Sequence, residues 1–116
     1  MRLYLRDCAL GFVSLLESLV KALLRRAEEE GEMPIPGYTH HQPAQVTTLG
    51  HIWLSFGEAL LRDISRFQNW YGRFNWNPLG SMTGYGTSFS IDRNLTSRLL
   101  GFDGPCQNSL DPIQNR

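Results

Sequence analysis

Pro36-Gly37-Tyr38-Thr39-His40-His41-Gln42-Pro43-Ala44-Gln45-Val46-Thr47-Thr48-Leu49-Gly50-His51 is the stretch on which the reading of the chain turns. It holds all three histidines, and three of the six prolines (Pro34, Pro36 and Pro43) lie in or beside it. Apolar residues recur at helical spacing on both sides of it and lose that period inside it. A proline-punctuated, polar link between two helices makes an antiparallel helical pair and gathers the hydrogen-bonding side chains in one place.

Working outward, the N-terminal side reads as one helix over about residues 2–30. Leu5, Ala9, Phe12, Leu16, Leu19 and Leu23 alternate spacings of four and three, and Cys8, Val13, Leu15, Val20 and Leu24 widen the apolar stripe. So wide a stripe expects neighbours on more than one side. Gly31 offers a stop, with Pro34 and Pro36 behind it. The link, over about 34–48, is expected to be a loop, and a second helix spans about 48–73, capped by Thr47 or Thr48. Its apolar face is Leu49, Trp53, Phe56, Leu60, Ile64, Phe67 and Tyr71, with Glu58–Arg62 and Asp63–Arg66 as pairs on the outer face. A Gly-, Asn- and Ser-rich loop covers about 74–90, and a short helix follows over about 91–100, started by Ser90 or Asp92 and stopped by Gly101. Another helix opens at about 109–116, where Pro112 suits a first turn. The fold class is all-α, and breaking off inside a helix is the expected mark of a fragment.

Composition narrows the function. Eleven basic residues balance eleven acidic ones within 116, which argues against a nucleic-acid groove or an anionic membrane surface. No signal peptide or membrane span is visible, and Cys8 and Cys106 follow no disulfide pattern, so a reduced cytoplasmic chain is expected. Asn94-Leu95-Thr96 matches a glycosylation sequon without an export signal to use it.

The three histidines invite a metal, but His40 and His41 are adjacent and no acidic residue lies between Glu32 and Glu58, so no metal site is expected. Ser81 and Ser88 lack the context of a nucleophile elbow, and Gly80–Gly86 matches neither a P-loop nor a dinucleotide fingerprint. What remains is Thr39-His40-x-Gln42 ahead of a helix N-terminus. A hydroxyl, an imidazole and an amide are suited to holding a carboxylate and moving a proton.

Those same residues carry a family resemblance. Gly37-Tyr38-Thr39-His40-x-Gln42-Pro43-Ala44-Gln45, followed by Thr47-Thr48-Leu49-Gly50-His51, resembles a signature of the fumarase/aspartase superfamily. Asn77-Pro78-Leu79-Gly80-Ser81, Gly86-Thr87-Ser88-Phe89-x-Ile91-Asp92-Arg93 and Leu100-Gly101-Phe102-Asp103-Gly104-Pro105 with Asn108-Ser109-x-Asp111 resemble its argininosuccinate lyase branch. Arg2-Leu3-Tyr4-Leu5-Arg6-Asp7 is similar to the helix start that follows the branch's first substrate motif. His41, Pro112 and Gln114 depart from the branch pattern.

The resemblance implies part of a helical-bundle homotetramer that cleaves argininosuccinate to arginine and fumarate by β-elimination, without metal or organic cofactor. It implies His40 as the catalytic residue and Thr39, Gln42 and Arg116 as substrate-binding residues. It also implies that the first substrate motif lies before Met1 and the loop bearing the catalytic serine lies beyond Arg116. Since such sites are assembled from three subunits, the chain by itself is expected to be inactive. Another lyase of the superfamily, such as adenylosuccinate lyase, is the alternative on the same fold. A non-catalytic helical module that self-associates through its apolar seams is the alternative of a different class.

Overall fold

The computed structural model describes residues 1–115, so Arg116 lies outside the described residues. The element order is α1 (Arg2–Glu30), β1 (Pro34–Thr39), β2 (Gln42–Thr48), α2 (Leu49–Phe74), α3 (Arg93–Leu100) and α4 (Asp111–Gln114). The chain is largely helical, and no helix among the described residues is long and apolar enough to cross a membrane. It divides into two compact units: Leu3–Asn69 with Met1, and Trp70 onward with Arg2.

In the first unit, Leu16, Val20 and Ile64 form the core cluster, with Val13, Leu60 and Phe67 packed against it. The Phe12 and Phe67 rings lie 5.2 Å apart, whereas Ala27 near the other end of α1 approaches Gly50 at the start of α2. The two helices are therefore antiparallel. The inward line on α1 is Ala9, Val13, Leu16 and Val20; Phe12 and Leu19 of the expected seam stay about half exposed, at 48% each. On α2 the buried Gly57 takes the inward place expected of Phe56, which is 56% exposed. A stripe as broad as this offers two phases, and the helices come closest at one end, where Gly50 of α2 meets the end of α1. Gly50 shows how close: a Cβ there would stand 2.6 Å from the Gly31 Cα and 3.2 Å from the carbonyl oxygens of Ala27 and Gly31. The junction is tied further by the Trp53 indole N–H, which donates to Glu30 at 3.0 Å, and by Arg26, which pairs with the same carboxylate. The expected Glu58–Arg62 and Asp63–Arg66 pairs form on the exposed face of α2, where each contributes little.

The expected 34–48 loop is instead a two-stranded antiparallel hairpin. Pro34 pairs with Thr48, Ile35 with Thr47, Pro36 with Val46, Tyr38 with Pro43 and Thr39 with Gln42, with a bulge between Pro36 and Tyr38. Gly37 sits at that bulge because a Cβ would come 2.7 Å from the Gln45 carbonyl oxygen.

In the second unit, the last turn of α2 stacks Trp70 on Phe74, and the Arg2 guanidinium lies 4.8 Å from the Phe74 ring centroid. Arg2 also donates to the carbonyls of Phe74, Trp76 and Asn115. Asn77, fully buried, organises the loops that follow. Its amide nitrogen donates to Thr96 Oγ1, Ser97 Oγ and the Arg93 carbonyl, and its Oδ1 accepts from Leu79 N. Its backbone bonds to Gly104 and Cys106. Arg93 reaches back to the carbonyls of Leu79 and Cys106. Asp92 caps α3 through Asn94 N and Leu95 N, so the helix starts at Arg93 rather than Ile91, and Gly101 ends it at φ 67°. The last helix is one turn, Asp111–Gln114.

Gly50→Ala would raise helix propensity by about 1 kcal/mol on an open helix, yet here the clash dominates and the urea midpoint should fall by the equivalent of about 1–3 kcal/mol. An unchanged or higher midpoint would mean the helix ends are not in contact. Asn77→Ala removes the hydrogen bonds of a fully buried side chain and leaves a cavity, and should cost on the order of 3 kcal/mol in the same assay. Met82 is 62% exposed and held at φ 51°, so Met82→Gly should stabilise by about 1 kcal/mol, read as a higher melting temperature.

Candidate active site

Thr39, His40, His41 and Gln42 form the tip of the hairpin, and all four are exposed. Thr39 and Gln42 are the last cross-strand pair, so their side chains leave the same face of the ribbon as close neighbours. His40 and His41 are the two residues of the turn, at φ 51° and 62°. Positive φ at both positions is the geometry of a type I′ turn, whose twist matches that of the strands it joins. Asn-Gly is the usual choice there, and a pair of histidines occupies the left-handed region at a steric cost of order 1 kcal/mol per residue. The tip thus displays an imidazole flanked by a hydroxyl and an amide. Among the described residues, none of these three side chains is engaged in a hydrogen bond within the chain. They are free to bond a ligand.

The strands end on α2 in a second polar group, not among the site residues expected from the sequence. The Thr48 hydroxyl accepts from His51 N at 3.2 Å and caps the helix, while Thr47 Oγ1 and His51 Nδ1 are 2.9 Å apart. The Thr47-x-x-x-His51 spacing, one helical turn, is the signal that points to it.

Neither Gly80–Gly86 nor the serines provide a competing site. The N–H groups of Gly84 and Gly86 both donate to the Ser81 carbonyl, so they are turned away from any phosphate. Ser81 Oγ is buried without a hydrogen-bonding partner among the described residues, and no base activates it. In the second unit an open cleft of about 480 Å³ is lined by Arg2, Arg73, Trp76, Cys106, Asn108 and Asp111, among others. Its Arg2 is already committed to backbone carbonyls. Burial pushes the Cys106 thiol up, with Arg2 and Arg93 only partly opposing it, so the sulfur is a neutral, weak nucleophile. Both cysteines are free. No cluster of three or more His, Cys, Asp or Glu side chains among the described residues could hold a metal ion. The structure brings Thr39, His40 and Gln42 together; Arg116, the fourth expected contact, lies outside the described residues.

Comparison with known proteins agrees with the fold. The argininosuccinate lyase of Methanothrix thermoacetophila is 46% identical over 115 residues, covering 99% of this chain and 24% of its own length. That of Hahella chejuensis is 48% identical over 115 residues, covering 99% and 25% respectively. The chain therefore spans about a quarter of the length of these curated relatives. The crystal structure of EDDS lyase in complex with formate superposes with a TM-score of 0.94 at 32% identity, over 99% of this chain and 23% of that one. A fumarate lyase:delta crystallin from Brucella melitensis superposes with a TM-score of 0.74 at 21% identity, over 95% of this chain and 25% of that one, a likeness of fold alone. A family model described as a lyase matches residues 1–116, and the chain belongs to that lyase family.

Proposed function

We propose that this chain is the central part of an argininosuccinate lyase, which splits argininosuccinate into arginine and fumarate in arginine biosynthesis. The observation that carries the reading is identity of 44–48% to argininosuccinate lyases across 99–100% of the chain, with an uncommitted Thr-His-x-Gln tip at its centre. In the reaction a base takes the proton next to a carboxylate, and an acid protonates the departing guanidinium. Negative charge accumulates on the carboxylate before the C–N bond breaks. Directed hydrogen bonds can stabilise it there without a metal or organic cofactor.

In this scheme Thr39 donates its hydroxyl hydrogen to a substrate carboxylate, and Gln42, its cross-strand neighbour, steadies the same group. His40 takes part in proton transfer or orients the substrate, and Arg116 supplies a further contact to an anion. The enzyme works as a cytoplasmic homotetramer whose sites draw on three subunits. Leu10, Leu15, Leu19 and Leu24 on α1, and Leu54, Phe56 and Leu61 on α2, remain 43–68% exposed in a single copy and suit burial in a bundle. A related lyase with a different succinyl-type substrate, such as adenylosuccinate lyase, is the second reading. A substrate panel on the full-length protein separates the two.

In the full-length enzyme His40→Asn should reduce turnover at least tenfold, followed by the ultraviolet absorbance of fumarate. Unchanged turnover would remove His40 from the chemistry.

A further inference from the structure

We infer that His51 is a positioning residue for the hairpin tip and acts through Thr47; this deepens, and rests on, the reading of Thr39 and His40 as site residues. His51 is the third residue of α2, and both of the last residues of β2 bond to it. Thr48 takes its backbone N–H at 3.2 Å, and Thr47 meets its ring Nδ1 at 2.9 Å. The cap is a common way to start a helix and would be served by almost any residue at position 51. The ring contact is specific to a side chain with a polar atom next to Cγ. It joins a residue of the strand, paired across the ribbon with Ile35, to the rigid body of the helix.

Geometry makes that contact matter at a distance. Gln42 is five residues from Thr47 along β2, and at about 3.3 Å per residue the arm is about 17 Å long. A swing of roughly 3° to 4° at its base displaces the tip by about 1 Å, and a displacement of that size can cost on the order of a hundredfold in rate. Among the restraints at the base, which include the Gly31–Gly50 contact and the Trp53–Glu30 bond, Leu49 N donates to the Met33 carbonyl at 2.9 Å. That bond fixes where the strands leave the helix and leaves their tilt about it to side chains. The Thr47–His51 pair sets that tilt. The hydroxyl of Thr47 either donates to a bare Nδ1 or accepts from a protonated one, so the pairing holds in either neutral tautomer.

The test is a variant set in the full-length enzyme, assayed for kcat and KM with succinyl-guanidine substrate. His51→Ala and Thr47→Val should each lower kcat about tenfold, and the double variant should be no slower than either, because one contact has been removed twice. His51→Asn keeps a polar atom on Cγ and should restore at least half of the turnover, as should Thr47→Ser. His51→Gln, with its amide one carbon farther out, should not. Melting temperatures of the same set provide the control for folding. If His51→Ala lowers only the melting temperature and leaves kcat and KM unchanged, or if the two losses add, the positioning role is overturned. His40→Asn separates the two levels: an inert His40 overturns the site reading, whereas an essential His40 beside an indifferent His51 overturns only this inference.

Discussion

The contact between the end of α1 and the start of α2 is the constraint from which the rest of the first unit follows. Gly31 and Gly50 pass so close that not even a methyl group fits between them, so the intervening residues must leave a point and return to it. The two limbs of that link lie side by side and pair with each other rather than with water, which satisfies their facing backbone donors and acceptors. The ribbon that results brings Thr39, His40 and Gln42 together at its turn. Helix packing, in this sense, builds the candidate site without touching it.

The second unit solves a different problem, because a long stretch with little regular structure has to be given one shape. Buried polar side chains do this in place of an apolar core. Asn77 stitches its own loop to α3 and to the turn at Gly104, while Arg93 and Arg2 gather carbonyls that no strand or helix would otherwise satisfy. Networks of this type give specificity of conformation when every member is paired. Asn75 and Asn77, separated by Trp76, are both buried, which explains why such a polar segment is ordered.

Much of this was legible in the residues. Helical spacing located α1 and α2, and the caps at Thr48 and Asp92 and the stop at Gly101 mark real element ends. The phase of each apolar seam was not, since leucines on both sides of the stripe are equally good in isolation. The hairpin escaped for a related reason: Pro34, Pro36 and Pro43 read as breakers, and His40-His41 is not a turn pair that composition suggests. Its positive signals, the β-branched run Val46-Thr47-Thr48 and the Tyr38-Thr39 pair, were short. The Thr39–His40–Gln42 group was visible as chemistry, whereas its arrangement across a turn, and the Thr47–His51 contact beneath it, needed coordinates.

The prolines that disguise the hairpin also have a protective consequence. A ribbon of two strands is all edge: each strand turns one row of backbone groups outward, and such rows recruit strands from other chains into aggregates. Three of its positions are proline, with no N–H to offer a newcomer, and the bulge at Gly37 breaks the regular spacing that an incoming strand would have to match. A protein that presents its candidate site on a β-ribbon is thereby kept from polymerising through it.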